Sequence, residues 1–320
     1  MKLDKKDKRL LSLLSLNSRM SFVQMGKRLA LGGLAVERRL RRLESEGIIG
    51  QMCARVAPQD VGFGEYRLFF RFDVMDTKTE REVLGLFESY PRTGWGVIAE
   101  GEYQALWRIY AKSPEEVEEA KFLMMKKFGK RITAKAMATT IYEKWLPWNR
   151  AFGTERGAQA FPKEARGKNK LDGTDLEIIS MLAGNSREKS TAIAKKIGIS
   201  PDAVNYRVRR LVKEGIIREF TAWFDARKLG YNYYKILITL QDADRGEEKR
   251  FVEYCLQNYT VVYLNKILGS WDLEIDAIVE NNEELHDFIR GIKTRFENVV
   301  GQHMIISVVA EVVRNPLREK

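Results

Sequence analysis

Two cysteines and two histidines are all that 320 residues supply of the side chains most used as metal ligands, nucleophiles and proton shuttles near neutral pH. Cys53 and Cys255 stand far apart with no CxxC spacing, which predicts neither a metal site nor a disulfide framework and fits a reducing cytoplasm. The sequence contains no GxxxxGK loop, no HExxH and no GxSxG, so no motif for phosphate cradling, zinc peptidase or hydrolase chemistry is present. No stretch approaches the ~18 apolar residues of a membrane span. The first residues, Met1-Lys2-Leu3-Asp4-Lys5-Lys6-Asp7, are charged and lack the apolar core of a signal peptide. These absences predict a cytoplasmic protein with no metal, no cofactor and no membrane partner.

Positive charge is abundant, and it is unevenly placed. The net charge is +11, of which residues 1–53 carry +7, residues 54–148 carry +1, residues 149–169 and 170–221 carry +3 each, and residues 222–320 carry −3. A basic excess confined to particular segments is the footprint of a polyanion-binding head on a neutral body.

The chain also repeats itself. At an offset of 168 positions, Leu3/Leu171 to Phe72/Leu240 gives 22 identities in 70 ungapped pairs. Gly101/Gly269, Glu115/Glu283, Phe128/Phe296 and Glu143/Glu311 keep the offset. Two copies make a fused pair; a solenoid needs three or more. An intramolecular pseudo-dimer is the expected assembly, with further association into a homo-oligomer open.

Within each copy, about 50 helical residues precede about 90 of strand-rich pattern. In copy two, Asp172 suits an N-cap for a helix with Leu176, Ile178, Ile179 and Leu182 on its apolar side. A second helix over Thr191–Ile197 stops at Gly198. Ser200-Pro201 is a start signal for a third, because Ser caps free N–H groups and Pro fits the first helical position. Val204, Val208 and Leu211 mark its inner face, Gly215 ends it, and Ile216-Ile217 opens a strand. Three short helices and a strand describe a winged helix-turn-helix. The remainder reads βαββαβ: Tyr233–Leu240, Glu247–Gln257, Val261–Ile267, Trp271–Val279, Asn282–Thr294 and Val299–Val313. Copy one repeats it over Tyr66–Asp73, Thr79–Ser89, Thr93–Ala99, Tyr103–Ala111, Pro114–Lys127 and Ile132–Lys144.

The predicted fold class is therefore α+β, with each winged helix-turn-helix followed by a ferredoxin-like sensing domain. The domain boundaries are 1–53, 54–148, a Gly-bearing linker at 149–170, 171–222 and 223–320. About 20 linker residues span up to ~66 Å at full extension. The open face of each antiparallel sheet predicts an apolar surface that the sister copy covers.

Leu171-Asp172-x-x-Asp175, Asn185-Ser186-Arg187, Ile199-Ser200-Pro201, Arg207-Val208-Arg209-Arg210-Leu211-x-x-Glu214-Gly215-Ile216-Ile217 and Lys228-Leu229-Gly230 resemble the Lrp/AsnC (feast/famine) transcription regulators. Copy one keeps most of this pattern but has Gly32-Gly33 in place of Ser-Pro. The resemblance implies double-stranded DNA as partner, and an amino-acid-like effector held between sensing domains beside a Gly-x-aromatic-Asp turn. Here that turn is Gly269-Ser270-Trp271-Asp272, with Gly269, Trp271 and Asp272 as candidate effector residues. Copy one has Gln104 where copy two has Asp272, which removes the charge from the equivalent turn.

With Val204, Val208 and Leu211 inward, the outward face of the third helix is Asp202, Asn205, Tyr206, Arg209 and Lys213. Arg207 and Arg210 lie on the flanks, where phosphate contact is natural, and Ser200 stands at the helix start. Leu34, Glu37, Arg38, Arg41 and Ser45 form the matching face of copy one, flanked by Arg39 and Arg42.

Two other readings stay open. Sirohaem decarboxylases are similar in architecture and depend on histidines near the tetrapyrrole, but His286 and His303 face Glu118 and Lys135 at the copy-one positions. A low-specificity DNA-architectural protein would also use basic heads in tandem. The regulator reading predicts no enzyme activity.

Overall fold

Asp4 and Asp172 open the two halves of the chain in the same way. Each caps a helix and closes a reciprocal box with the aspartate three residues on, Asp7 or Asp175, so that free N–H groups at the helix start are satisfied. The computed structural model describes residues 3–148, 152, 171–241, 244–314 and 317.

In chain order these form α1 (Lys5–Leu16), α2 (Phe22–Leu29), α3 (Gly33–Ser45), β1 (Ile49–Val56), a short 3-10 turn, β2 (Gly64–Phe72), α4 (Thr77–Ser89), β3 (Thr93–Glu100), β4 (Ala105–Ala111), α5 (Pro114–Phe128) and β5 (Ile132–Trp145). The second half gives α6 (Gly173–Gly184), α7 (Ser190–Ile197), α8 (Pro201–Lys213), β6 (Ile217–Phe224), β7 (Asn232–Leu240), α9 (Arg245–Gln257), β8 (Val261–Gly269), β9 (Leu273–Val279), α10 (Asn282–Arg295) and β10 (Val300–Val313). The expected linker, residues 149–170, lies outside the described residues except at Phe152. Tyr103 and Trp271, read as strand residues, belong instead to the turns before β4 and β9.

The chain divides into two compact units. One joins Met1–Gly62 with Pro147–Leu229 and Leu317–Lys320, and the other joins Phe63–Leu146 with Gly230–Pro316. Both helical heads therefore belong to one unit and both βαββαβ segments to the other.

In the head unit, neither head pairs its strand within itself. β1 and β6 form an antiparallel two-stranded sheet that the heads share, running from Ile49 opposite Phe224 to Val56 opposite Ile217. The helical cores are exchanged as well. Ala54 and Val56 of β1 pack in one apolar cluster with Ile178, Ile179 and Leu182 of α6, Ile193 of α7, and Val204 and Leu211 of α8. A two-stranded ribbon alone is marginal in water. Here its apolar face is covered by helices from both copies.

The second unit is a closed eight-stranded barrel in the order β10-β3-β4-β2-β5-β8-β9-β7. Each copy contributes four consecutive strands, and two antiparallel seams join the copies, β5 with β8 and β10 with β3. Closure leaves no unpaired edge among these strands. Trp95 Nε1 donates to Glu311 at 2.7 Å, and Tyr263, at the position matching Trp95, donates to Glu143 at 3.0 Å.

Strand alternation separates two faces. Leu68, Phe70 and Phe72 of β2 pack with Trp107, with Val83 and Phe87 of α4, and with Val117, Ala120 and Met124 of α5. The other face carries Glu65 and Arg67 beside Phe69, so the surface expected to be apolar is in part charged. Glu65, Arg67, Arg108, Lys235, Glu274 and Asp276 are all buried. Arg67 pairs with Glu65 at 2.7 Å and with Glu274, while Lys235 pairs with Glu274 and with Asp276 at 2.5 Å. The copies thus meet through ions as well as through seams.

Glycine is required where the seams pass closest. A Cβ on Gly269, at φ +158°, would lie 2.4 Å from the Met137 carbonyl oxygen, and one on Gly101, at φ +133°, would lie 3.1 Å from that of Ile305. We expect Gly269→Ala to destabilise the protein by about 2–4 kcal/mol in urea unfolding, since a backbone carbonyl cannot yield. Gly85→Ala, on α4 with nothing within 4 Å, should instead be neutral or stabilising by up to ~1 kcal/mol. Equal effects of the two substitutions would refute this account.

Candidate nucleic-acid interface

The third helix of each head, α3 or α8, is clamped to the first helix by its own arginines. Arg39 donates to Asp4 and to Asp7, both at 2.7 Å, and Arg42 pairs with Asp7 at 2.7 Å. Arg207 reaches Asp172 at 2.7 Å and Asp175 at 2.8 Å, and Arg210 pairs with Asp175. Asp7 and Asp175 are buried. A buried carboxylate that accepts from two guanidiniums and a backbone N–H is fully used. These four arginines hold the recognition helices in place. Each guanidinium has donors beyond those the carboxylates take, and Arg42 and Arg210 keep 43% and 34% of their side-chain surface exposed, so the clamp leaves room for phosphate contact.

The clamp has an acid limit. Bonds from Arg207 and from the Asp175 N–H hold the Asp172 carboxyl below its ordinary 3.8. The Asp7 N–H and Arg39 do the same for Asp4. A depressed carboxylate contributes stability that is present above the unfolded value and lost as pH falls through the folded one. The heads should therefore loosen only below about pH 4.

What remains outward differs from the clamp. On α8, Asp202, Tyr206, Arg209 and Lys213 are exposed at successive helical turns. Arg209 has no ion pair among the described residues. Asn205 is half-buried, its Oδ1 held 2.6 Å from Ser190 Oγ. Ser200 caps α8 by accepting from the Ala203 N–H at 3.1 Å. On α3, Leu34, Arg38, Arg41 and Ser45 are exposed, and Arg41 pairs with Glu37 at 2.6 Å. Gly32 provides no side-chain cap, so the change from Ser-Pro costs α3 one hydrogen bond at its start.

The two heads are joined by a shared set of polar contacts. Ser18 Oγ and Ser186 Oγ, 168 positions apart, meet at 2.6 Å. Arg19 donates to the Ser186 carbonyl at 2.5 Å, and Arg187 donates to those of Ser18 at 2.6 Å and Met20 at 2.9 Å. Gln51 of β1 donates to the Ala183 and Gly184 carbonyls, each at 3.1 Å, capping the end of α6. These contacts were missed in the sequence, although Asn-Ser-Arg stood in both copies. A polar tripeptide that repeats between helices is a signal for a shared joint when its members reappear buried.

The candidate effector turn is also put to structural use. Trp271 is buried against Phe69 and Tyr103, with ring centroids at 4.8 and 5.7 Å. The Asp272 carboxylate accepts from the Leu240 N–H at 2.7 Å, and Gln104 accepts from the Phe72 N–H at 2.8 Å. The amide therefore does in copy one what the carboxylate does in copy two. The half-buried Asp272 carboxylate thus braces the turn through one of its oxygens.

With this geometry in hand, the comparisons are informative. Residues 3–44 match the AsnC-type helix-turn-helix domain, and residues 171–218 match a winged helix-turn-helix DNA-binding domain. An uncharacterised HTH-type transcriptional regulator of Pyrococcus horikoshii is 34% identical over 116 residues, which is 36% of this chain and 77% of that protein. The HTH-type transcriptional regulator AldR of Mycobacterium tuberculosis is 30% identical over 120 residues, 37% of this chain and 67% of that one. The crystal structure of the siroheme decarboxylase NirDL superposes with a TM-score of 0.60 at 12% identity, covering 96% of this chain and 92% of that chain. That likeness is one of fold. The chain belongs to the Lrp/AsnC family of transcription regulators. Among the described residues, no helix is long and apolar enough to cross a membrane.

Removing Asp175 tests the clamp. Asp175→Ala removes half of the box and the buried carboxylate shared by Arg207 and Arg210, leaving Arg207 with Asp172 alone, and we expect a loss of about 3–5 kcal/mol in urea unfolding. Arg209→Ala should leave the unfolding midpoint unchanged. A stable, fully folded Asp175→Ala protein would contradict the assignment.

Proposed function

We propose that the chain is a sequence-specific DNA-binding regulator that works as an internal dimer, each copy supplying one recognition helix and half of a common barrel. The observation that carries the reading is the division of labour on α8. Its flank arginines Arg207 and Arg210 are anchored in the clamp, while Asp202, Tyr206, Arg209 and Lys213 form an outward stripe of hydrogen-bonding and cationic groups. Such a stripe suits base edges and phosphates in the major groove. The deciding measurement is binding to the chain's own upstream DNA against random duplex over a range of salt. Preference for the former, with affinity falling steeply as salt rises, supports the reading. Equal affinity for both would instead favour a DNA-architectural protein.

Roles within the stripe separate by experiment. Arg209→Ala should cost about 1–3 kcal/mol on the preferred site and little on random duplex, as loss of a bidentate guanine contact does. Lys213→Ala, at the end of the helix, should weaken both alike and reduce the salt slope by roughly one unit. Arg210→Ala belongs with the clamp and should lower stability first. Identical losses for Arg209→Ala and Lys213→Ala on both duplexes would remove the assignment.

Effector sensing is assigned to the barrel unit on the family resemblance. An amino-acid-like ligand seated at Gly269–Asp272 would bring its ammonium group to the Asp272 carboxylate, which has acceptor sites beyond the one held by the Leu240 N–H, and Trp271 stands beside it. Titration of amino acids against tryptophan fluorescence therefore reads it directly, and a flat response across them rules out this seat. A decarboxylase-like enzyme is the second reading, motivated by the superposition on NirDL. His286 lies exposed on α10 and His303 half-buried on β10, and burial and Lys293 lower the pKa of the latter. An absorbance titration with an iron tetrapyrrole distinguishes it: no bound spectrum leaves the regulator alone.

A further inference from the structure

We propose that the chain reads a non-palindromic duplex in a single orientation, with its two heads seeking different bases at a fixed separation. The inference rests on the DNA-binding reading above and adds the kind of site that is bound. It follows from a contrast between what the copies share and where they differ.

The copies agree in the clamp within each head and in the serine–arginine joint between the heads, although other cross-copy contacts, such as Arg55 with Glu219 and Gln51 with the end of α6, use residues that differ. Asp4/Asp172, Asp7/Asp175, Arg39/Arg207 and Arg42/Arg210 form the same clamp twice, and Ser18/Ser186 with Arg19/Arg187 form the same joint from both sides. They disagree on the face turned outward. Leu34 stands where the other head has Asp202, Glu37 where it has Asn205, Arg38 where it has Tyr206, and Ser45 where it has Lys213. Only Arg41/Arg209 is shared, and its state differs. Arg41 is tethered to Glu37, whereas Asn205 in that place is drawn to Ser190 and leaves Arg209 without an ion pair among the described residues.

These differences are chemical opposites at the base edge. Leu34, 62% exposed in the first turn of α3, offers only apolar contact and suits a thymine methyl. Asp202 at the same place offers only acceptors and suits the amino group of cytosine. Arg38 brings donors suited to guanine O6 and N7, where Tyr206 brings a single hydroxyl. A palindrome presents the same base to both members of each pair, so one head is always mismatched. Nor can the heads adapt by drifting apart, since the shared sheet β1–β6 and the exchanged cores fix them to each other. Chain order then gives the bound complex a direction along the duplex.

Selection of bound duplexes from a random pool by the full chain tests this, with footprinting of the winners. The expected consensus has two unlike half-sites. Inverting one of them should weaken binding ~10-fold or more, as a mismatched base pair does. Inserting five base pairs between them should be at least as damaging, because half a turn puts the second half-site on the opposite face. The combined substitution Leu34→Asp, Glu37→Asn, Arg38→Tyr and Ser45→Lys alters the outward face of α3 and spares the clamp. It should turn the consensus into a palindrome, with unchanged urea unfolding showing that the head stays folded. A palindromic consensus for the unsubstituted chain, or an unchanged consensus after the exchange, overturns the proposal while leaving DNA binding intact. Absence of salt-dependent binding to any duplex overturns the underlying reading instead.

Discussion

An unpaired strand edge is the constraint on which the rest of this structure depends. Neither copy can satisfy its own: β1 and β6 have no partner within their heads, and each four-stranded βαββαβ sheet ends in two free edges. A free edge is a row of unmet N–H and C=O groups and a template for aggregation. The copies resolve this by pairing with each other at three places, once in the head unit and twice in the barrel. Because both copies lie on one polypeptide, roughly 20 residues apart, the pairing needs no second molecule.

Backbone pairing does not by itself choose a register, since hydrogen bonds tolerate slippage by two residues. The buried ions inside the barrel do choose. Glu274 of copy two accepts from Arg67 of copy one and from Lys235 of its own copy, and Arg67 and Lys235 are the same position in the two repeats. Burial alone would push the Glu274 carboxyl up, but the two cations outweigh it and hold it below the usual range. A slipped seam would strand these charges in a low-dielectric interior, where an unpaired ion costs several kcal/mol. Such a network adds little net stability over apolar packing. Its contribution is to make one alignment far better than its neighbours.

Much of this was legible in the sequence and some was not, for physical reasons. The helices were visible because caps, period and glycine stops agree: Asp172, Ser200 and Gly198 sit where expected. The βαββαβ order was visible from alternation. What strands pair with was not, because periodicity reports which face is buried and says nothing about the partner across an edge. The inner barrel face was misjudged for a related reason. An open sheet face was expected to be apolar, and the pairing that lets Arg67 and Glu274 be buried there comes from the other copy, which alternation within one strand does not report. The arginines of α3 and α8 were ranked by angle alone, and angle cannot tell a guanidinium aimed at phosphate from one aimed at a carboxylate of another helix.

That confusion has a general resolution in this chain. The Leu-Asp-x-x-Asp and Arg-x-Arg-Arg-Leu segments stand 35 residues apart in each copy and look like two separate signatures, one structural and one functional. They are two halves of a single ionic contact, and the aspartates are present because the arginines are. An internal repeat then supplies its own control. Positions that match between copies and are paired in both serve the scaffold. Positions that are exposed and differ lie under little packing constraint, so packing does not account for their identity. On α3 and α8 these are Leu34, Arg38 and Ser45 against Asp202, Tyr206 and Lys213, whereas Glu37 and Asn205 also answer to Arg41 and Ser190 within the protein.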